Sequence, residues 1–347
     1  MSIYYQEIHE QPDVIEGFLT TEHTNVIQIV EELESVGFSY VTLVARGSSD
    51  NAARYAKYLF GAKNRWPVAL ATPSLFTSYQ SPPDLQDSLV IGISQSGQSE
   101  DIVAVMKEAR GQGALTVAIT NSPDSPLASH AAHVIDTHTD VERSIAATKT
   151  YTSQLAAIAL MAIASSGSEL DRRRLFEIPG RMREILKNVE SACVDAVQPL
   201  LGESLCIVIG RGYNYASVFE ISLKLKELAY LVAEPYSPAD LMHGPIAMIE
   251  EGFPVILIAP QGLVFDEMVN LSQFLRDEKK VSLISISAER EALELAQWPL
   301  QMPAGGEEWL SPLENILPGQ LLVYHLAKAK GLDPDAPRGL QKITITR

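Results

Sequence analysis

The chain has 347 residues, 46% hydrophobic and 20% charged, and a formal net charge of −16 at pH 7. This composition suits an ordered globular protein with room for two domains of typical size, and it excludes disorder as the default state. The acidic balance excludes the clustered Lys and Arg of a nucleic-acid binder, and it leaves any anionic ligand to be gripped by local groups.

Residues 1–36 read as a helical lead-in without strand signals, and their start lacks the basic and apolar regions of a secretion signal. An apolar strand at 40–45 runs through a glycine turn into a helix at 51–60. A strand at 89–93, a helix at 101–112, a strand at 115–120 and a closing helix at 148–164 follow. The apolar run 155–164 is only ten residues long, whereas a membrane span needs roughly 20. Residues 165–174 and Pro179-Gly180 mark a passage, and a helix at 181–197 docks what comes next. The second half then reads as strand 206–210, helix 216–232, strand 254–259, helix 266–278 and strand 281–286. Cys193 and Cys206 show no C-x-x-C spacing, so a cytoplasmic setting without membrane contact is expected.

The two halves repeat. Placing residue 45 on residue 210, an offset of 165 residues, brings Ala45-Arg46-Gly47 onto Gly210-Arg211-Gly212 and Thr72-Pro73 onto Ser237-Pro238. The same offset brings Val90-Ile-Gly-Ile93 onto Val255-Ile-Leu-Ile258, and Gly97 onto Gly262. Strand, turn and helix signals stay in phase without a gap from residue 45 to residue 120, the signature of an internal duplication. Short, non-alternating apolar strands separated by helices predict buried parallel sheets, so the fold class is α/β, with two tandem doubly wound, flavodoxin-like domains. The expected organisation is a lead-in at 1–36, a first domain at 37–165, a linker and docking helix at 166–197, a second domain at 198–330 and a tail at 331–347.

In such sheets ligands bind outside the carboxyl ends of the strands, at the topological switch point. There the first half carries Ser94-Gln95-Ser96-Gly97-Gln98-Ser99, hydroxyls and an amide around a turn glycine, directly before a helix whose N-H groups face an anion. An ordinary polar strand-to-helix turn reads the same way, but a second hydroxyl loop, Gly47-Ser48-Ser49, ends the neighbouring strand. No G-x-x-x-x-G-K-[ST] is present, and Gly210-Arg-Gly212 shares only the first two glycines of a dinucleotide fingerprint. Downstream, 220–231 is an amphipathic helix with Lys224 and Glu227 on one stripe, which a surface ion pair would also explain. His243 follows in a Gly-Pro turn, and a carboxylate with an imidazole can move protons at carbon and oxygen. His130, His133 and His138 lack the partners of a metal set, so neither a metal nor a cofactor is expected.

Taken in order, Ser94-Gln-Ser-Gly97, Ala147-Thr148-Lys149, Leu223-Lys224-Leu-Lys-Glu227, His243-Gly-Pro245 and the tail from Asp333 to Lys342 resemble the tandem sugar isomerase (SIS) domains of the glutamine-fructose-6-phosphate aminotransferase family. The resemblance spans roughly residues 35 to 347. It implies a hexose-6-phosphate ligand whose phosphate is held by Ser48, Ser49, Ser94, Gln95, Ser96 and Ser99. Gly47, Ile145, Ala146 and Lys149 would line the sugar. Lys342 would form a Schiff base with the open-chain ketose, or open and hold the sugar. Glu227 would shuttle the proton between C1 and C2, Lys224 would stabilise the enediol-like intermediate, and His243 would assist ring opening across a homodimer interface.

The family's synthase begins with a glutaminase domain opened by a catalytic cysteine, whereas here residue 2 is Ser and the first sugar domain is expected from residue 37. Glutamine is therefore not expected as an ammonia source within this chain. The family's Gly-Glu-Thr is Gly97-Gln98-Ser99, Met242 stands where a Lys precedes the His-Gly-Pro, and Ala147 replaces a Ser. The leading expectation is an isomerising deaminase of glucosamine-6-phosphate that yields fructose-6-phosphate and ammonia. The alternatives are a fructosamine-6-phosphate deglycase, ammonia-dependent glucosamine-6-phosphate synthesis and a non-catalytic phosphosugar sensor.

Overall fold

A computed structural model of the protein describes residues 2–342; Met1 and the last five residues of the expected tail, 343–347, lie outside the described residues. Among those described, ten strands form two five-stranded parallel sheets. The first holds β1 (Tyr40–Val44), β2 (Val68–Leu70), β3 (Ser88–Ile93), β4 (Leu115–Thr120) and β5 (His133–Asp136) in the order β2-β1-β3-β4-β5. The second holds β6 (Leu205–Ile209), β7 (Val232–Tyr236), β8 (Pro254–Ala259), β9 (Ser282–Ser287) and β10 (Trp298–Gln301) in the order β7-β6-β8-β9-β10. The same order twice is the flavodoxin-like 2-1-3-4-5 arrangement, with switch points between β1 and β3 and between β6 and β8.

The helices are α1 (Ile3–Val36), α2 (Gly47–Leu59), α3 (Ser74–Thr77), α4 (Glu100–Gly111), α5 (Pro126–Ser129) and α6 (Lys149–Ser166). They continue as α7 (Glu169–Asp195), α8 (Tyr215–Leu228), α9 (Pro238–Met242), α10 (Phe265–Asp277), α11 (Arg290–Glu294) and α12 (Ser311–Ala329). None among the described residues is long and apolar enough to cross a membrane. The chain divides into two compact units interleaved in sequence. The first comprises Asp13–Glu142, Lys149–Glu177 and the tail from Gln341; the second comprises the start to Pro12, Arg143–Thr148 and Ile178–Leu340. Two of the unit boundaries fall inside helices, one in α1 and one in α7.

Every residue of β3 and of β8 is buried, which explains why both read as unbroken apolar runs: helices cover both faces. In the first unit α4 carries acidic residues in its first turn and Arg110 in its last, matching the helix dipole. It buries Ile102, Val105, Met106 and Ala109, spaced for one helical stripe, in a core with Val44, Val90, Ala118 and Leu127. The corresponding helix of the second unit, α10, buries Met268, Leu271 and Leu275 in a core with Ile207, Val255 and Leu257. Burial pushes both thiols up, that of Cys206 to about 12, so neither is poised as a nucleophile.

Several elements differ from the sequence expectation for identifiable reasons. The edge strands β2, β5, β7 and β10 are absent from it because they are short, partly exposed and interrupted by residues such as His133, Pro235 and Pro299. Helix α7 starts at Glu169 and runs through Pro179 instead of beginning after it. A proline costs one backbone hydrogen bond, but Leu175, Ile178, Met182, Ile185 and Val189 form a buried stripe that carries the helix past it. Helix α8 ends at Leu228, four residues early, because Tyr230 adopts φ 51 before the edge strand begins. Helix α12, unread in the sequence, contains Pro318 and Gly319; a Cβ on Gly319 would stand 2.4 Å from Ile221, so glycine permits close packing on α8.

Candidate active site

In the first unit the two hydroxyl loops leave the carboxyl ends of neighbouring strands β1 and β3. Helix α2 begins at Gly47, four residues earlier than expected, which draws Ser48 and Ser49 into its first turn; Ser49 is buried and Ser48 half-buried. Ser94 Oγ accepts the Gly97 N-H at 3.1 Å, folding the second loop back on itself and leaving the Ser94 hydroxyl proton for another acceptor. Gly97 at φ 61 allows the turn, and a Cβ there would meet Ser125 Oγ at 2.1 Å. Gln95, Ser96 and Ser99 are half-buried, and Ser99 caps α4 by its backbone conformation without a side-chain bond.

One side chain that the sequence reading passed over fastens these loops. Arg46 Nε lies 2.6 Å from Asp101 Oδ2, so the guanidinium after β1 is pinned to the first turn of α4. Asp101 is almost fully buried, while half of Arg46 remains exposed. It is the sole cation within 45–51 and 94–101, and a planar fork held at Nε keeps its terminal amines for a bidentate acceptor. Its clue was its repeat counterpart, Arg211, which pairs with Glu267 in the first turn of α10.

Also in the first unit, Lys342 Nζ lies 2.5 Å from Glu142 Oε2. Glu142 is itself buried and accepts from Thr150 N at 3.1 Å and Thr150 Oγ1 at 2.7 Å. The tail lysine is thus held by a carboxylate that two bonds orient, a partner invisible in the polar sequence 136–143. Lys149 opens α6 with its side chain buried. Ile145 and Ala146 lie in the segment assigned to the second unit, where the buried Glu7 carboxylate takes the N-H groups of Arg143 at 2.6 Å and Ser144 at 3.1 Å.

In the second unit Lys224 and Glu227 do not lie on a solvated helix face. Lys224 is 1% exposed, with Nζ 2.6 Å from Glu227 Oε2 and 3.4 Å from Glu220 Oε1, and Glu220 is fully buried. Glu227 keeps 22% side-chain exposure. A buried ammonium therefore orients one oxygen of a carboxylate whose other oxygen has no partner among the described residues, which suits proton transfer. His243 caps the end of α9 through its N-H to Ala239 O, and its ring is exposed. No metal-holding group of His, Cys, Asp and Glu occurs among the described residues.

The SIS domain family model matches residues 40–164 and 203–329. The isomerizing glutamine-fructose-6-phosphate aminotransferase of Thermococcus kodakarensis is 34% identical over 347 residues, covering 97% of this chain and 57% of the relative. The chain thus spans about half the length of the curated relatives it matches. A candidate phosphosugar isomerase from Silicibacter pomeroyi has a TM-score of 0.87 at 29% identity, with 96% of this chain and 100% of that chain covered. The C-terminal domain of the glucosamine-fructose-6-phosphate aminotransferase of Francisella tularensis gives 0.87 at 25% identity, covering 96% of this chain and 98% of its own. Two family matches, one on each parallel sheet, establish that the chain belongs to the SIS domain family.

Proposed function

We propose that the chain is a phosphosugar isomerase that deaminates glucosamine-6-phosphate to fructose-6-phosphate and ammonia. The observation that carries this reading is the Glu227 carboxylate, oriented at 2.6 Å by a buried Lys224 and open at its other oxygen. The names of the relatives and the tail lysine held at Glu142 support the same chemistry.

The phosphate would sit between the two loops of the first unit, with hydroxyls of Ser48, Ser49, Ser94, Ser96 and Ser99 and the Gln95 amide donating to it, and Arg46 balancing its charge. Gly47, Ile145, Ala146 and Lys149 would line the sugar. His243 would move a proton to open the ring, contributed by the neighbouring subunit of a homodimer. Glu227 would take the C2 proton of the open-chain aldose and return it to C1, leaving an iminium at C2, with Lys224 stabilising the enediol-like intermediate. Lys342 would attack C2 and expel ammonia; water would then add to its Schiff base, giving the ketone and restoring the amine. Glu142 would accept the proton that Lys342 must lose before it attacks.

The deciding experiment is an NADH-coupled ammonia assay over a panel of hexosamine-6-phosphates together with fructoselysine-6-phosphate. Ammonia is expected from glucosamine-6-phosphate. Release from no amino sugar phosphate would sink the deaminase, and turnover of fructoselysine-6-phosphate alone would make the chain a deglycase. Sedimentation of an active monomer would remove the role of His243 across an interface.

A further inference from the structure

The 165-residue offset pairs Gly47 with Gly212 and Gly97 with Gly262. In the first unit a Cβ on Gly47 would meet nothing within 4 Å. In the second unit both counterparts face one carboxylate. A Cβ on Gly262 would stand 2.1 Å from Glu308 Oε2, and one on Gly212 would stand 3.6 Å from Glu308 Oε1. The Leu263 N-H donates to Glu308 Oε2 at 2.6 Å, directly before α10. A negative oxygen thus lies where the two loops of the second half converge, held by a backbone N-H as a phosphate oxygen would be.

The segment that delivers it has a counterpart as well. Glu308 lies three residues before α12 and Ala146 three residues before α6, so the pre-helix position is a methyl group in one half and a carboxylate in the other. The lost hydroxyls at Ala259-Pro260-Gln261-Gly262 fit the same picture, since a built-in anion with its own backbone donor needs no serine cradle.

We propose that Glu308 is a resident anion that occupies the second half's ligand crevice, so that the duplicated fold keeps one phosphosugar site per chain and not two. This deepens the functional reading above, resting on it for the assignment of the first cradle but not for the occupancy of the second. Removing the carboxylate would open an anion site that offers the N-H of Leu263 and is flanked by Gly212 and Gly262.

The test is equilibrium dialysis of the full chain against radiolabelled inorganic phosphate at constant ionic strength, comparing the unaltered protein with Glu308→Ala and Glu308→Gln. Glu308→Ala is expected to bind one phosphate more per chain, and Glu308→Gln, which keeps the volume and an acceptor for Leu263 N-H, to bind no more than the unaltered chain. Equal binding by Glu308→Ala and the unaltered protein overturns the proposal. An equal increment in Glu308→Gln also overturns it, by assigning the effect to net charge. Should the first cradle fail to bind phosphate, the unaltered chain reads zero and Glu308→Ala still reads one, which separates the two readings. Were Glu308→Ala too unstable to dialyse, its melting temperature should rise more in phosphate than in chloride by a margin the unaltered chain lacks; an equal rise overturns the proposal.

Discussion

The two halves share a sheet order and diverge at the carboxyl ends of their strands. The first half presents hydroxyls, turn glycines and Arg46 there, while the second sets Glu308 against the corresponding loop and carries Lys224 and Glu227 on α8. On the reading proposed above, duplication supplied two crevices, and divergence gave anchoring to one copy and proton transfer to the other. A single domain asked to do both would need a carboxylate close to a bound phosphate, where like charges repel and the carboxyl group's acidity shifts.

The largest expected effect tests that division directly. Glu227→Gln should lower kcat by about 10²–10⁴-fold, the usual worth of a general acid-base group, with KM for the phosphosugar little changed. Steady-state kinetics check it; a change confined to KM would hand Glu227 to binding and erase the contrast. Next in size is a structural variant in the second half. Arg181 Nε bonds the Glu314 carboxylate, which is 5% exposed and whose pKa burial pushes up against the opposing pull of Arg181. Arg181→Ala should cost about 3–5 kcal/mol, because it strands a buried carboxylate. Denaturant unfolding measures it.

A pair of smaller variants sharpens the contrast between the repeats. Arg46→Ala should weaken phosphosugar binding by about 10–100-fold, the worth of a hydrogen bond to a charged group. Its repeat counterpart Arg211→Ala, beside the crevice that Glu308 fills, should leave the calorimetric Kd unchanged. Equal losses would mean that the two arginines merely fasten loops. The smallest effect is on pH dependence. Burial lowers the pKa of His23 in the first unit and of His325 in the second. The unfolded chain therefore binds protons that the folded one refuses, so stability should fall as pH drops below about 6.5 and be fully present above it. His325→Gln should flatten part of that slope in melting curves.

What could be read in advance follows from what each residue contributes locally. The central strands announced themselves because burial on both faces demands an unbroken apolar run, and the repeat announced itself through Arg46 and Arg211, Gly47 and Gly212. The edge strands gave no such signal, since one side of each faces solvent and tolerates Glu234 or Pro299. The hydroxyl loops were legible as chemistry, but their fastening was not. Asp101 and Glu142 are ordinary acidic residues in sequence, and only tertiary packing distinguishes them from their exposed neighbours Glu100 and Asp140; nothing in the sequence sets Glu308 apart from Glu307 either. The burial of Lys224 was likewise hidden, because an amphipathic stripe does not reveal what covers it.

The described part of the tail is moored at Arg338. Arg338 lies 4.0 Å over the Tyr230 ring and donates its backbone N-H to the Tyr230 hydroxyl at 2.7 Å, four residues before Lys342. Four residues extend at most ~14 Å, so the lysine is held on a short leash. A tether of this kind presents its amine at an effective concentration of order millimolar, whatever the concentration of protein. In the proposed reaction Glu142 is the berth to which that amine returns between turnovers, and the rate of leaving the berth is a quantity that selection can set independently of the sugar's own chemistry.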